Sequence, residues 1–412
     1  MTDAEATPIL FDALQIPVAQ VMHDYGQINA TITHAELLTD PDRRDRVWRC
    51  TFDSQSGATH GAAPKSVVVK HICPDHYAPD DVTHIDTQRF FGEWAGAEFL
   101  SRLGDGQHGP RFYGGDRQAG FIVIEDMGQH NSLVQPLLEG NADSATRALI
   151  HFAQRLGRMH ADAFGREDEY KAIWHRLSPN TPIPGTTNNV KEVKEASEIN
   201  AILDDFNAAL ATAFGTLDVQ LDGAARDDAL AAFVTINAAS PFRTFVHNDP
   251  CPDNMFYDGN TLRLIDFESA RFGHALRDGL YGRIPFPTCW CCNRVASEVA
   301  DEMERVYRQA FGTACPAALD DALYEAEVTA VTCAWVIEPG LLRDAFEQDH
   351  TWGIAGLRAR VLTRLETCLA ATAKTERWPA LRDVYNQIHS KLIQRWPNAT
   401  HLPLYPAFRR YV

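Results

Sequence analysis

Ala30 to Leu38 and Arg46 to Phe52 read as two strands, joined by the polar segment Thr39 to Asp45. Ser66-Val67-Val68-Val69-Lys70 predicts a third, with Val68 and Lys70 on one face and Val67 and Val69 on the other. From Thr87 to Leu103 the period changes. Phe90, Trp94, Ala97, Leu100 and Leu103 share one stripe at helical spacing, with Glu93 beside it. Pro110 to Tyr113 opens another strand pair, and the apolar run after Gly120 predicts a buried strand ending in a break at Gly128. Leu133 to Phe164 is mostly helical in pattern. Residues 165 to 190, with Pro179, Pro182 and Pro184, read as a loop. Helices are expected over Val190 to Leu217, Arg226 to Ala238, Glu298 to Phe311, Leu319 to Ile337, Trp352 to Thr372 and Trp378 to Arg395. Residues 1 to 28 read as an extension with one short helix, and Pro403 to Val412 shows no period.

One stretch departs from these simple rhythms. Thr244 to Val246 is a short strand pattern, and His247 to Asp253 carries two prolines that cannot continue it. Met255 to Tyr257 and Leu262 to Phe267 are apolar segments joined by Asp258-Gly259-Asn260, a hairpin signal. The spacing His247-x-Asp249, then Asn254, then Asp266 puts two acids and one amide where phosphoryl transfer needs them. A hydroxyl attacking a phosphate needs a carboxylate to orient it and accept its proton, the role assigned to Asp249. Mg²⁺ prefers hard oxygen ligands, which Asn254 and Asp266 supply. His247 is expected to brace the loop.

Composition narrows the function. The chain of 412 residues is long enough for two domains with sizeable cores. Hydrophobic content of 45% and charged content of 23% are ordinary for a globular protein. A net charge of −17 argues against nucleic acid or an anionic membrane as partner and is compatible with a cationic small substrate. No apolar run is long enough to span a bilayer, and the acidic N-terminus lacks the basic start of a signal peptide. Nine cysteines without disulfide-framework spacing suit a reducing cytosol, so a cytoplasmic location is expected. Cys289, Cys291 and Cys292 lack the second Cys or His pair of a zinc site, so a buried apolar segment around Trp290 is expected there.

The motifs at His247-Asn248-Asp249 and Ile265-Asp266-Phe267-Glu268 resemble those of the aminoglycoside phosphotransferase and choline kinase superfamily. The His-Asn-Asp form is similar to choline and ethanolamine kinases. Glu268 stands where protein kinases carry the glycine of Asp-Phe-Gly. The resemblance implies an α+β, bilobal, protein-kinase-like fold. A small sheet lobe would cover 30–128, after an extension of 1–29, and a larger, mainly helical lobe 129–412. It implies that Lys70 binds the nucleotide phosphates and that Glu93, rather than Glu98, is its partner. It further implies a nucleotide-binding hinge including Glu125 and Met127. The loop at 39–45 would cover the phosphates, although it lacks glycine; Arg43, Arg44 and Arg46 are expected to be solvated. His160 and Asp278 are expected to be structural. The cofactors implied are ATP or GTP with Mg²⁺. The implied activity is transfer of the γ-phosphate to a hydroxyl of a small molecule, an amino sugar or amino alcohol. Neutral sugars, macrolides and a regulatory pseudokinase are the alternatives. Trp290, Tyr324, Trp335 and Trp352 are candidate aromatics for holding a cation.

Overall fold

The computed structural model describes residues 3–54, 63–81, 83–129, 131–179, 192–213, 219–237, 240–337, 344–346, 348–399 and 401–411. The chain divides into two compact units. The first comprises 1–130, 166–183 and 263–270, and the second 131–165, 184–262 and 271–412.

In the first unit, helix α1 (Asp3–Gly26) precedes strands β1 (Ala30–Leu37), β2 (Asp45–Ser54) and β3 (Ser66–Ile72). Helix α2 (Ile85–Ser101) leads to β4 (Phe112–Asp116) and β5 (Phe121–Glu125). The five strands form one sheet in the order β1-β2-β3-β5-β4, with every pairing antiparallel. β3 is central, and Lys70 lies opposite Val47 on β2 and Ile122 on β5. Val67 and Val69 point into the core and are fully buried, so the alternation in β3 is real and places Lys70 on the other face.

Helix α1 is long rather than short. Leu14, Val18 and Met22 form a stripe buried against Trp48, Cys50, Phe52, Phe121 and Val123. Burial of such a stripe, worth about 2 kcal/mol per large side chain, outweighs local propensity. The loop expected at 165–190 is only partly one. Glu167–Leu177 is a helix that buries Tyr170, Ile173, Trp174 and Leu177 and sets Trp174 edge-to-face against Phe91 of α2. Its four apolar positions have helical spacing, masked in sequence by an acidic first turn and the prolines downstream. Residues 180–190 of the expected loop, and 55–62 before β3, lie outside the described residues.

The second unit is mainly helical. Helix Ala142–Ala163 starts at a capping box between Asn141 and Ser144, which ends the preceding turn and stabilises by about 1 kcal/mol. It packs on Ser297–Phe311 at Gly157, where a Cβ would sit 2.7 Å from the Tyr307 carbonyl. Helices Gly223–Asn237, Asp321–Ile337, Leu357–Thr375 and Pro379–Arg395 form a second layer. Strands Arg243–Val246 and Arg271–His274 pair antiparallel, setting Phe245 opposite Phe272. The C-terminal stretch, without visible period, is a 3-10 helix over Pro406–Tyr411. No helix among the described residues is long and apolar enough to cross a membrane.

Candidate active site

The first unit gathers Lys70, Glu93 and Asp266. Lys70 Nζ donates to Glu93 Oε1 at 2.5 Å and to Asp266 Oδ1 at 3.2 Å. Glu93 Oε2 also accepts the backbone N–H of Phe267, so one carboxylate fixes both the lysine and the chain just after Asp266. Exposure rises along the set, from 8% for the Glu93 side chain through 17% for Lys70 to 47% for Asp266. The exposed end is therefore the one a metal or phosphate would reach. Burial alone would lower the lysine pKa, but the two carboxylates outweigh it and hold Lys70 above its ordinary value, fully charged. Asp266 adopts φ 70°, a left-handed conformation that costs a non-glycine residue about 1 kcal/mol or more and concentrates at functional sites.

Glu98 has other partners. It accepts from Trp94 Nε1 at 3.0 Å and pairs with Arg102 and Arg176. Arg44 is not simply solvated: it pairs with Asp45, Asp86 and Glu268. Glu268, the residue in place of the usual glycine, is thus tied to the loop that carries Arg44. That loop has no glycine to shape it; instead Thr39 Oγ1 accepts Val47 N at 3.1 Å. At the end of β5, Glu125 accepts from Arg111 N at 3.0 Å and Arg263 Nη1 at 2.7 Å. The next residue, Asp126, accepts from Ser66 Oγ, Arg49 Nε and Gly128 N, which orders the chain around the half-buried Met127.

The second unit carries Asp249 and Asn254. The buried Asp278 carboxylate accepts the backbone N–H of His247 at 2.6 Å and of Asn248 at 2.9 Å. Asn248 takes φ 66°, a turn that asparagine tolerates well. Buried His160 reaches Asp278 at 3.4 Å and Tyr307 at 2.8 Å, a structural arrangement. Asn254 Nδ2 donates to the Asp249 carbonyl at 2.9 Å and to Asp249 Oδ2 at 3.3 Å. The amide nitrogen is committed to the loop, and the amide oxygen remains as the hard donor a Mg²⁺ ion would take. The Asn254 amide oxygen in the second unit and the Asp266 carboxylate in the first are each the kind of hard oxygen donor that Mg²⁺ prefers.

Two features near Asp249 escaped sequence reasoning. Thr288 Oγ1 donates to Asp249 Oδ1 at 2.5 Å, with the Tyr281 hydroxyl 2.9 Å from Thr288 Oγ1. Cys251 and Cys289 are joined by a disulfide, with Cα atoms 5.4 Å apart. This overturns the reading of the cysteines as uniformly reduced thiols. The pair is separated by 38 residues, and only the fold brings it together. Cys291 and Cys292 are buried free thiols; burial pushes Cys291 up to about 12 and leaves it unreactive. Of the candidate cage aromatics, Tyr324 and Trp335 are core. Trp290 and Trp352 are 37% and 41% exposed, and the Arg360 guanidinium lies 4.4 Å from the Trp352 ring centre. Trp290 Nε1 donates to Asp253 Oδ2 at 2.8 Å. Gly353, at φ 63°, is obligatory beside it, since a Cβ would fall 1.9 Å from the Trp290 carbonyl.

No curated protein matches this sequence. The fold is similar to that of a choline kinase from Cryptosporidium parvum Iowa II, at 11% identity and a TM-score of 0.41, covering 95% of this chain and 98% of that one. It is similar to the ADP-bound aminoglycoside phosphotransferase APH(2'')-Ib, at 14% identity and a TM-score of 0.43, covering 93% and 99%. A choline/ethanolamine kinase family protein from Mesorhizobium loti gives 14% identity and a TM-score of 0.43, covering 92% and 99%. The sequence itself matches the phosphotransferase enzyme family over residues 88–321, more than half of its length, and the chain belongs to that family.

Proposed function

We propose that the protein is an ATP-dependent kinase that moves the γ-phosphate to a hydroxyl of a small, cationic acceptor such as an amino sugar or amino alcohol. The observation that supports this reading is the charged set in which Lys70 pairs with both Glu93 and Asp266, in a chain that also has Asp249 and Asn254 on one loop. A nucleotide-binding regulator without activity has no need for a base, a phosphate-binding lysine and metal ligands together.

In this reading Glu93 orients Lys70, whose ammonium binds phosphate oxygens as a point charge. Asp249 accepts the hydrogen bond of the acceptor hydroxyl and takes its proton as the oxygen attacks. Asn254 holds Asp249, and its amide oxygen and the Asp266 carboxylate are the candidate metal ligands. Mg²⁺, when bound, supplies charge neutralisation at the phosphates. Glu125 and Met127 are the candidate contacts to the base of the nucleotide. The preference for a cationic acceptor rests on the net charge of −17, which favours encounter with cations.

A coupled ADP-release assay with Mg·ATP across amino sugars, amino alcohols, neutral sugars and macrolides tests the proposal. Turnover is expected with amino acceptors. Turnover confined to neutral or anionic acceptors would refute the cation preference, and silence across the panel would remove the enzymatic reading of the site.

A further inference from the structure

We propose that Thr288 is a positioning residue for Asp249: its hydroxyl, driven by Tyr281, holds one oxygen of the carboxylate while Asn254 holds the other. The inference rests on Asp249 being the catalytic base and concerns how that base is aimed.

Proton counting sets the direction of the chain. An ionised carboxylate only accepts, so the 2.5 Å contact requires Thr288 to donate its single proton to Asp249 Oδ1. The 2.9 Å contact from Tyr281 must then run from the phenol to Thr288 Oγ1. Tyr281 is 1% exposed, and burial, then the charges of Asp278 and Asp249, keep its phenol protonated well beyond its ordinary range. With Asn254 Nδ2 on Oδ2, each carboxylate oxygen is held by a side-chain donor, which fixes the plane of the carboxylate.

The segment carrying Thr288 is built to hold it. Phe286, fully buried, takes φ 37°, a strained conformation that persists only where surrounding contacts impose it. Arg364 Nη2 then donates to the Pro287 carbonyl at 2.7 Å. Arg360, 2% exposed, donates to the carbonyls of Cys289 at 2.9 Å and Trp290 at 3.3 Å. Both arginines come from the helix Leu357–Thr375. Finally, the disulfide ties Cys289, next to Thr288, to Cys251, two residues after Asp249. Strain, two arginines and a covalent bond converge on the placement of one hydroxyl.

The test measures Mg·ATP hydrolysis to water, as ADP release without acceptor, and ATP affinity by calorimetry, in wild type, Thr288→Val, Thr288→Ser, Tyr281→Phe and Asp249→Asn. Thr288→Val keeps the shape and removes the donor. It is expected to lower kcat about tenfold or more, the scale of one hydrogen bond to a charged group, with ATP affinity within about twofold. Thr288→Ser should recover most of the rate, and Tyr281→Phe should lose less than Thr288→Val. If Thr288→Val matches wild type while Asp249→Asn is inactive, the positioning role is refuted and the base reading stands. If Thr288→Ser is as slow as Thr288→Val, the role is packing and the proposal fails. If Asp249→Asn turns over normally, the base reading fails and takes this inference with it.

Discussion

The two groups of candidate catalytic residues are held by different physics. Around Lys70, Glu93 and Asp266, order comes from opposite charges in a partly desolvated site, where the Lys70–Glu93 contact is strong because water is scarce. Around Asp249, order comes from neutral donors, a strained backbone and a disulfide. A charged set is sensitive to the loss of any one member, because the remaining charge is left buried. A set of neutral donors degrades in smaller steps, one hydrogen bond at a time. The first group is thus expected to act as a unit and the second as a sum of parts, a difference that substitutions at each can measure.

The largest effects are expected at the candidate base and the candidate metal ligands. Asp249→Asn is expected to lower turnover at least about a hundredfold while ATP still binds, the scale of a lost general base. Asp266→Ala is expected to abolish Mg²⁺-dependent ATP binding in calorimetry and Asn254→Ala to weaken it; unchanged affinity in Asp266→Ala would move the metal elsewhere.

Next in size is the Lys70–Glu93 pair. Lys70→Ala and Glu93→Ala should each cut kcat by about tenfold or more, and the double variant should be little worse than Lys70→Ala alone. Additive losses would show that the pair does not act as a unit and would remove the contrast drawn here.

A smaller effect is expected from reduction. Dithiothreitol, oxidised to its cyclic disulfide, delivers two electrons and two protons to Cys251 and Cys289. Freed of the bond, the segment at Thr288 should loosen, and kcat of the wild type should fall a few-fold with ATP affinity unchanged. The Thr288→Val variant should lose nothing further. An equal loss in that variant would place the effect of reduction outside the Asp249 contact.

A change of a different kind, in stability against pH, is expected from the sheet. His71, beside Lys70 on β3, is lowered to about 4 by burial first and by Arg46 second. The unfolded chain takes up this proton near 6.5 and the folded chain does not, so stability is full above that value and declines as pH falls towards 4. The loss is at most roughly 3 kcal/mol. Denaturant titrations at pH 7 and pH 4.5 should show a smaller decrease for His71→Gln than for wild type. Parallel decreases would assign the acid sensitivity to other groups.

Much of this was legible in the chain because the signals are local. A period of two in β3 places Lys70 opposite the buried Val67 and Val69, and a helical stripe places Glu93. A spacing over a few tens of residues picks out Asp249, Asn254 and Asp266. The helix Glu167–Leu177 was also local, and its four apolar positions were readable, but the polar first turn and later prolines carried more weight. Other features have no local signature. The contact from Arg176 to Glu98, the tie from Arg44 to Glu268, the Cys251–Cys289 bond and the contact from Thr288 to Asp249 all join residues distant in sequence. Composition and periodicity report which residues turn inward. They do not report which inward-facing residues meet, because that depends on packing among elements whose order in the chain does not set their neighbours in space. Local patterning is enough for the strands, most helices and the identity of the candidate acids, amide and lysine. Only the tertiary structure decided which neutral hydroxyl and which pair of cysteines stand beside Asp249, since a hydrogen bond or a disulfide needs ångström-scale proximity that no spacing rule encodes.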